Sequence, residues 1–223
     1  MSAARPSKGS QTRERILDAA LTIASREGLE GLTIGILADA LSMSKSGVFA
    51  HFGSREELQI AVIDEYARRF MEAVFFPAVR QPRGLPRLRA MFENWLYRVQ
   101  HVEIPNGCVF ISGAVEFDDR EGPVRDRMVL VNRGWQDEMR TAARQAIAEG
   151  HLRRDCDPEQ LVFELYGFML SLHHDARLLR EPRAVERARV SFVRVIKAYG
   201  TPAGMALMAA PVHANPEQTL AAA

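Results

Sequence analysis

TIGILADALSMSKSGVFAHFGSREEL, residues Thr33 to Leu58, is the stretch whose reading decides the fold. Leu37, Ala38 and Leu41 fall at i, i+1 and i+4, the apolar stripe of a short helix. Ser42-Met43-Ser44 interrupts it, and Ser44 is placed to cap the next helix, because its hydroxyl accepts from first-turn amides. That second helix runs from Lys45 to about His51, with Val48 and Phe52 at i and i+4. Ser54-Arg55-Glu56-Glu57 reads as a capping box that opens a third helix. Two short helices joined by a tight turn form a helix-turn-helix, whose second helix enters the major groove of DNA.

These residues also resemble a family. Thr33, the apolar turn ending in Ser44, the run Lys45-Ser46-Gly47-Val48-Phe49-Ala50-His51-Phe52 and the capped Arg55 are similar to the DNA-binding domain of tetracycline-repressor-like (TetR/AcrR) regulators. The resemblance covers about residues 11 to 60, and order, spacing and residue type agree together. Three positions depart from it: the usual turn glycine is Ser42, the usual helix glycine is Ser46 and the usual tyrosine is Phe49, which lacks a hydroxyl for a backbone phosphate. The resemblance implies a homodimeric repressor that binds double-stranded operator DNA and answers to a small-molecule effector. Weaker similarity continues in Gly107-Cys108, in Glu116-Phe117-Asp118-Asp119-Arg120 before Pro123, and in Asp157-Pro158-Glu159-Gln160.

Size and composition agree with that class. The 223 residues allow one small domain plus a larger one, or a single mid-sized domain, and 47% apolar content supplies a core. No stretch approaches the apolar length of a membrane span, and Met1-Ser-Ala-Ala-Arg opens a polar segment rather than a signal sequence. Two cysteines, Cys108 and Cys156, give no disulfide framework, which favours a reducing, cytoplasmic setting. Net charge is only +1, yet residues 1 to 15 hold Arg5, Lys8, Arg13 and Arg15 against Glu14 alone, 4 − 1 = +3. Such an arm either contacts DNA or is an ordinary solvated tail; composition leaves both open.

The rest reads as helix, so the expected fold class is all-α. The expected divisions are a basic arm over 1–10, a helix-turn-helix domain over 11–57, a helical effector-binding and dimerisation domain over 58–200, and a mobile tail over 201–223. Helix one is expected from Thr12 to about Glu27, with Gly28 as its stop. Leu58, Val62, Tyr66 and Phe70 share one face of a long fourth helix. Pro123 suits the first turn of a helix ending at Gly150. The helix from Gln160 to His174, started by Asp157-Pro158-Glu159, is apolar on nearly every side, so it needs a covering inside the subunit and a partner outside. With the final helix it predicts a dimer seam at Leu165, Phe168, Leu172, Val185, Phe192 and Ile196.

The expected DNA contacts are Thr33, Ser44, Lys45, Ser46, Gly47, Phe49, His51 and Arg55, with Lys45 able to reach a guanine edge or a phosphate. Thr33 and Ser44 are caps first. Phe92, Trp95, Phe110, Trp135, Met139, Tyr166 and Met169 are each ordinary core residues; together they are rich enough in aromatic and adaptable side chains to wall an effector cavity. Cys108 with His101 or His151 lacks any catalytic motif, and a packed cysteine is the better reading. His173 and His174 point about 100° apart on a helix, so a metal site with His151 and Cys156 is disfavoured. No catalytic residue, metal or cofactor is expected. Two rival readings remain: a helical ligand-binding protein that has lost DNA binding, and a small helical enzyme using Cys108.

Overall fold

The computed structural model describes residues 8–209, and these are helical almost throughout. The described residues hold a single isolated bridge, Leu152 to Gly200, in place of a sheet. Helix α1 spans Lys8–Gly31 and breaks internally at Gly28, whose φ of 82° lies in the left-handed region that favours glycine. Ile16, Ala20 and Ala24 are buried on its inner face. Helix α2 (Ile34–Leu41) starts under a Thr33 cap and α3 (Lys45–Phe52) under a Ser44 cap. Helix α4 (Arg55–Phe70) starts at Ser54, whose hydroxyl accepts from Glu57 N at 3.0 Å. Only half of the capping box forms, because Ser54 N donates to Phe52 O instead of to Glu57.

Helix α4 continues through a wide π turn, Met71–Phe75, into Phe76–Val79. Gly84, with φ of 89°, then precedes α5 (Leu85–Arg98), which runs through a second π turn, Val99–Glu103, into Ile104–Asn106. Helix α6 is Val109–Phe117 and α7 is Pro123–Ala148. Asp157 accepts from Glu159 N and so caps α8 (Pro158–His173), which ends in a third π turn, His174–Leu178. Helix α9 is Ala184–Tyr199. Helix α10, Pro202–Ala209, corrects the expectation of a tail beginning at 201: Thr201 Oγ1 caps it by accepting from Gly204 N at 3.1 Å. The remainder of that tail and residues 1–7 of the basic arm lie outside the described residues.

The chain divides into two compact units, and the division differs from the expected boundary after residue 57. The first unit joins the segment up to Arg69 with Asn106–Asn132, so α6 and the start of α7 belong with the helix-turn-helix. Its core is Leu17, Leu21, Leu29, Leu32, Leu37, Val48, Phe52, Leu58, Val62 and Tyr66. Helix α6 packs on α1 through Gly113, where a Cβ would stand 2.9 Å from Leu29 Cδ1. Along α4, Glu65 is held down to about pKa 2, first by its hydrogen bond from Arg68 and then by that from Arg69, which also pairs with Asp18 of α1. The second unit comprises Phe70–Pro105 and the chain from Arg133 onward. There α8 packs on α9, and α10 on α5.

Ser42 closes α2 in the left-handed conformation, φ 52° and ψ 41°, where glycine is the usual residue. A side chain there costs about 1–2 kcal/mol. Ser42→Gly is expected to stabilise the first unit by about 1 kcal/mol, read as a higher urea midpoint; an unchanged or lower midpoint would show that the serine carries a compensating contact.

Candidate nucleic-acid interface and effector region

Helix α3 presents one side to solvent and buries the other. Val48 and Phe52 face the core, whereas Lys45, Ser46, Phe49 and Ala50 are exposed, with Phe49 51% accessible. The split results from the 3.6-residue period, which places Val48 and Phe52 one turn apart on the same side. Ser44 Oγ accepts from Gly47 N at 3.1 Å and lies 3.1 Å from Ser46 Oγ, so the start of α3 is fixed by hydroxyls. A Cβ at Gly47 would stand 3.1 Å from Ser44 Oγ, so glycine keeps this cap free of crowding. Lys45 lies along α2: its Cε is 3.5 Å from where a Gly35 Cβ would be. His51 is half-buried beside Phe52, and the Arg13 guanidinium sits 5.0 Å over the Phe52 ring. Of the eight expected contact residues, Lys45, Ser46 and Phe49 share this exposed face, and Ser44 stands at its start.

Two of the eight are engaged elsewhere. Thr33 Oγ1 accepts from Ile36 N at 3.1 Å as the α2 cap. Arg55 donates from Nε to Leu32 O at 3.1 Å and from Nη2 to Glu30 O, so its guanidinium holds the α1–α2 turn. Nothing in the sequence near Arg55 marks those carbonyls as its acceptors, because the partners lie 23 and 25 residues upstream.

In the second unit, four rings meet. Phe70 presents edges to Trp95 at 5.9 Å and to Trp135 at 4.9 Å, while Trp95 stands 5.6 Å from both Trp135 and Tyr166. The Arg98 guanidinium lies 5.7 Å over the Phe70 ring. Trp135 Nε1 is buried without a hydrogen-bond partner among the described residues, and an unmet donor of this kind costs stability. Met139 and Met169 are wholly buried in the same unit. Phe70 is missing from the expected set; its position at the end of the Leu58, Val62, Tyr66 face is the available signal.

Two expected members belong elsewhere. Phe92 is stacked on Phe192 at 4.1 Å with an interplanar angle of 10°, joining α5 to α9. Phe110 sits in the first unit, edge-on to Tyr66 at 4.7 Å. Sequence spacing cannot tell these rings from those of the four-ring cluster, because large buried rings look alike along a chain.

The expected dimer seam is largely corrected. Leu165, Phe192 and Ile196 are wholly buried within the single chain and Leu172 is 2% exposed, so these four form the protomer's own core. Phe168 and Val185 are only partly covered. The outward face of α8 instead carries Phe163 at 74% exposure, Gly167 and Leu170 at 44%, at i, i+4 and i+7. A groove of about 450 Å³ runs along it, walled by Phe163, Tyr166, Leu170 and Arg140 among others. A helix apolar all round offers two faces of similar character, and composition does not say which one turns inward.

The remaining chemistry is ordinary. Cys108 is buried, and its sulfur accepts from Tyr66 OH at 3.3 Å. His173 Nε2 stands 2.8 Å from Glu103 Oε2, His174 Nδ1 pairs with Asp175 at 3.2 Å, and His151 Nδ1 accepts from Leu85 N at 3.2 Å. The two adjacent histidines therefore turn to different partners, as their angular separation requires. No helix among the described residues is long and apolar enough to cross a membrane.

Comparison with known proteins agrees with this geometry. Residues 16–62 match the family described as bacterial regulatory proteins, tetR family, and residues 84–192 match the tetracyclin repressor-like C-terminal domain. The HTH-type transcriptional repressor AcnR of Corynebacterium glutamicum is 36% identical over 74 residues, 33% of this chain and 39% of that protein. The chain thus spans well under half the length of that curated relative. Among solved structures, a TetR-family regulator from Cytophaga hutchinsonii superposes with a TM-score of 0.76 at 18% identity, over 89% of this chain and 99% of that one. A TetR regulator from Chloroflexus aurantiacus J-10-FL gives 0.72 at 25% identity, over 85% and 94%. The helix-turn-helix with its hydroxyl-capped α3, the helical second unit and the two family matches lead to one conclusion: the chain belongs to the TetR family of bacterial transcriptional regulators.

Proposed function

We propose that the chain is a homodimeric repressor that reads operator DNA through the exposed face of α3 and is released by an apolar or aromatic effector. The observation that carries this is the α3 surface: Lys45, Ser46 and Phe49 face solvent on a helix whose other side is core. Lys45 contributes a charge for a guanine edge or a phosphate, and Ser46 a hydroxyl. Phe49 supplies an apolar ring suited to a thymine methyl in place of a phosphate-seeking hydroxyl. Two such helices in a dimer reach successive major grooves when they stand about 34 Å apart. An effector that favours a different spacing lowers operator affinity by shifting the population.

The effector region is the ring cluster of Phe70, Trp95, Trp135 and Tyr166. Its chemistry favours a flat apolar molecule carrying one acceptor for Trp135 Nε1. The partner surface is the outward face of α8 at Phe163, Gly167 and Leu170, where a second copy would cover side chains that are otherwise wet.

Three outcomes test this reading. With a duplex selected by the wild-type chain from a random-sequence pool, Lys45→Ala is expected to lose about 1–3 kcal/mol of binding while remaining folded. Failure of the wild type to enrich any sequence would remove the DNA-reading function altogether. Phe163→Glu is expected to elute as a folded monomer where the wild type is a dimer, whereas Phe192→Glu unfolds at a cost of about 3–5 kcal/mol or more; a dimeric Phe163→Glu would move the interface off α8. Trp95 and Trp135 are the chain's two tryptophans, so titration with a panel of aromatic compounds should change intrinsic fluorescence in step with release of the duplex. A compound that changes fluorescence but binds equally with and without DNA is not an effector.

A further inference from the structure

The turn between α1 and α2 is held by side chains from two distant parts of the chain. At Gly28 the backbone leaves the helical path; Leu32 N still donates to Leu29 O, but other groups of residues 29–32 take partners from outside the helix. Glu30 N donates to Glu116 Oε2 at 2.8 Å. Gln59 Nε2 donates to Leu29 O at 2.7 Å, and Arg55 donates to the carbonyls of Glu30 and Leu32. The Glu30 carboxylate closes the set: Arg120 reaches it at 2.8 Å and Arg55 at 3.6 Å, and these cations hold Glu30 below its usual range. Gly28 is where the fit is tightest, since a Cβ there would stand 2.1 Å from Glu116 Oε1. The Arg120 guanidinium also lies 5.7 Å over the Phe117 ring, which steadies it.

Arg55 and Gln59 come from α4, next to the recognition helix. Glu116 and Arg120 come from the corner after α6, far along the chain. The turn they grip leads directly into the Thr33 cap, α2 and α3. Building on the DNA-reading function proposed for α3, we propose that Glu116 and Arg120 are positioning residues for operator recognition, setting the pose of α2 and α3 by clamping the Gly28–Leu32 turn. The DNA-reading body is then a composite of the N-terminal helices and the 106–132 segment. A displacement of the Glu116–Arg120 corner reaches the recognition helix through the turn, with no change in any residue that touches DNA.

The clamp's two members act by different chemistry, and this makes the test specific. Glu116 accepts a backbone N–H, which a neutral carbonyl oxygen also does; Arg120 acts by charge. In the full-length chain, Glu116→Ala and Arg120→Ala are each expected to lose about tenfold in affinity for the selected duplex, while affinity for a scrambled duplex is unchanged. Glu116→Gln is expected to restore most of the loss, because its amide oxygen still accepts from Glu30 N. Circular dichroism and the unfolding midpoint show whether each variant is folded. Hydrogen exchange at the Glu30 amide, measured on the same proteins, should accelerate in Glu116→Ala and stay slow in Glu116→Gln. Equal losses on selected and scrambled duplexes, or wild-type affinity in folded Glu116→Ala, would overturn the proposal. Lys45→Ala serves as the control: if it loses binding while both clamp variants keep it, DNA reading stands and the positioning role falls.

Discussion

A buried peptide group that leaves a helix must find another partner, and this requirement at residues 29–32 governs the first unit. Four side chains meet it: Arg55, Gln59, Glu116 and, through the Glu30 carboxylate, Arg120. Two come from the helix after the recognition helix and two from a segment more remote in the chain, Glu116 lying 86 residues from Glu30. These bonds add to the packing of α6 on α1, and α6 and the start of α7 group with the N-terminal helices. The 106–132 segment thus belongs to the same compact unit as the helix-turn-helix, although it is distant from it in sequence.

The second unit is organised by shape and buried polarity. Phe70 closes α4 and contributes its ring to the aromatic cluster, with Arg98 above it. Arg98 donates to Glu103 at 3.0 Å, and Arg177 caps the carbonyl of Glu103, which ties the end of α5 to the end of α8. A wholly buried glutamate is tolerated here because Arg98 pairs with one of its oxygens and His173 Nε2 stands 2.8 Å from the other. Pairing of this kind gives a rigid frame to one side of the ring cluster. The Trp135 N–H, without a partner among the described residues, marks a place where their packing leaves a polar group unsatisfied.

Local chemistry is legible in the sequence. Ser44, Ser54 and Asp157 stand at the starts of the helices that their spacing predicts, Gly28 ends the regular part of α1, and Pro123 opens α7. Such features depend on neighbours within four residues, so spacing reveals them. What escapes depends on long-range geometry. The apolar periodicity of α8 contains both faces at once, so Leu165 and Phe163 are equivalent until the fold buries one and exposes the other. Arg55 fits a familiar pattern but spends its donors on carbonyls 23 and 25 residues away. Glu116 and Arg120 fall in a stretch of weak family similarity, and nothing in it marks Glu30 as their partner until the fold sets them side by side. Thr201 and Gly204 form a helix start that the Ala- and Pro-rich composition of the tail conceals.

The three π turns carry a different kind of information. In each, an amide bonds five residues back: Phe76 to Met71, Ile104 to Val99 and Leu179 to His174. A wide turn accommodates one residue more than an α-helical path of the same rise, and so absorbs about 100° of rotation that would otherwise misalign the next face. Loss of one residue inside Met71–Phe75 or Val99–Glu103 is therefore met by a return to α geometry, with the flanking faces still in phase. Loss of one residue in the middle of α7 has no such slack and would swing every later side chain off its partner. Within its long helices, chain length in this fold is thus adjustable at the wide turns, so relatives that differ by a single residue inside a helix should carry the gap there.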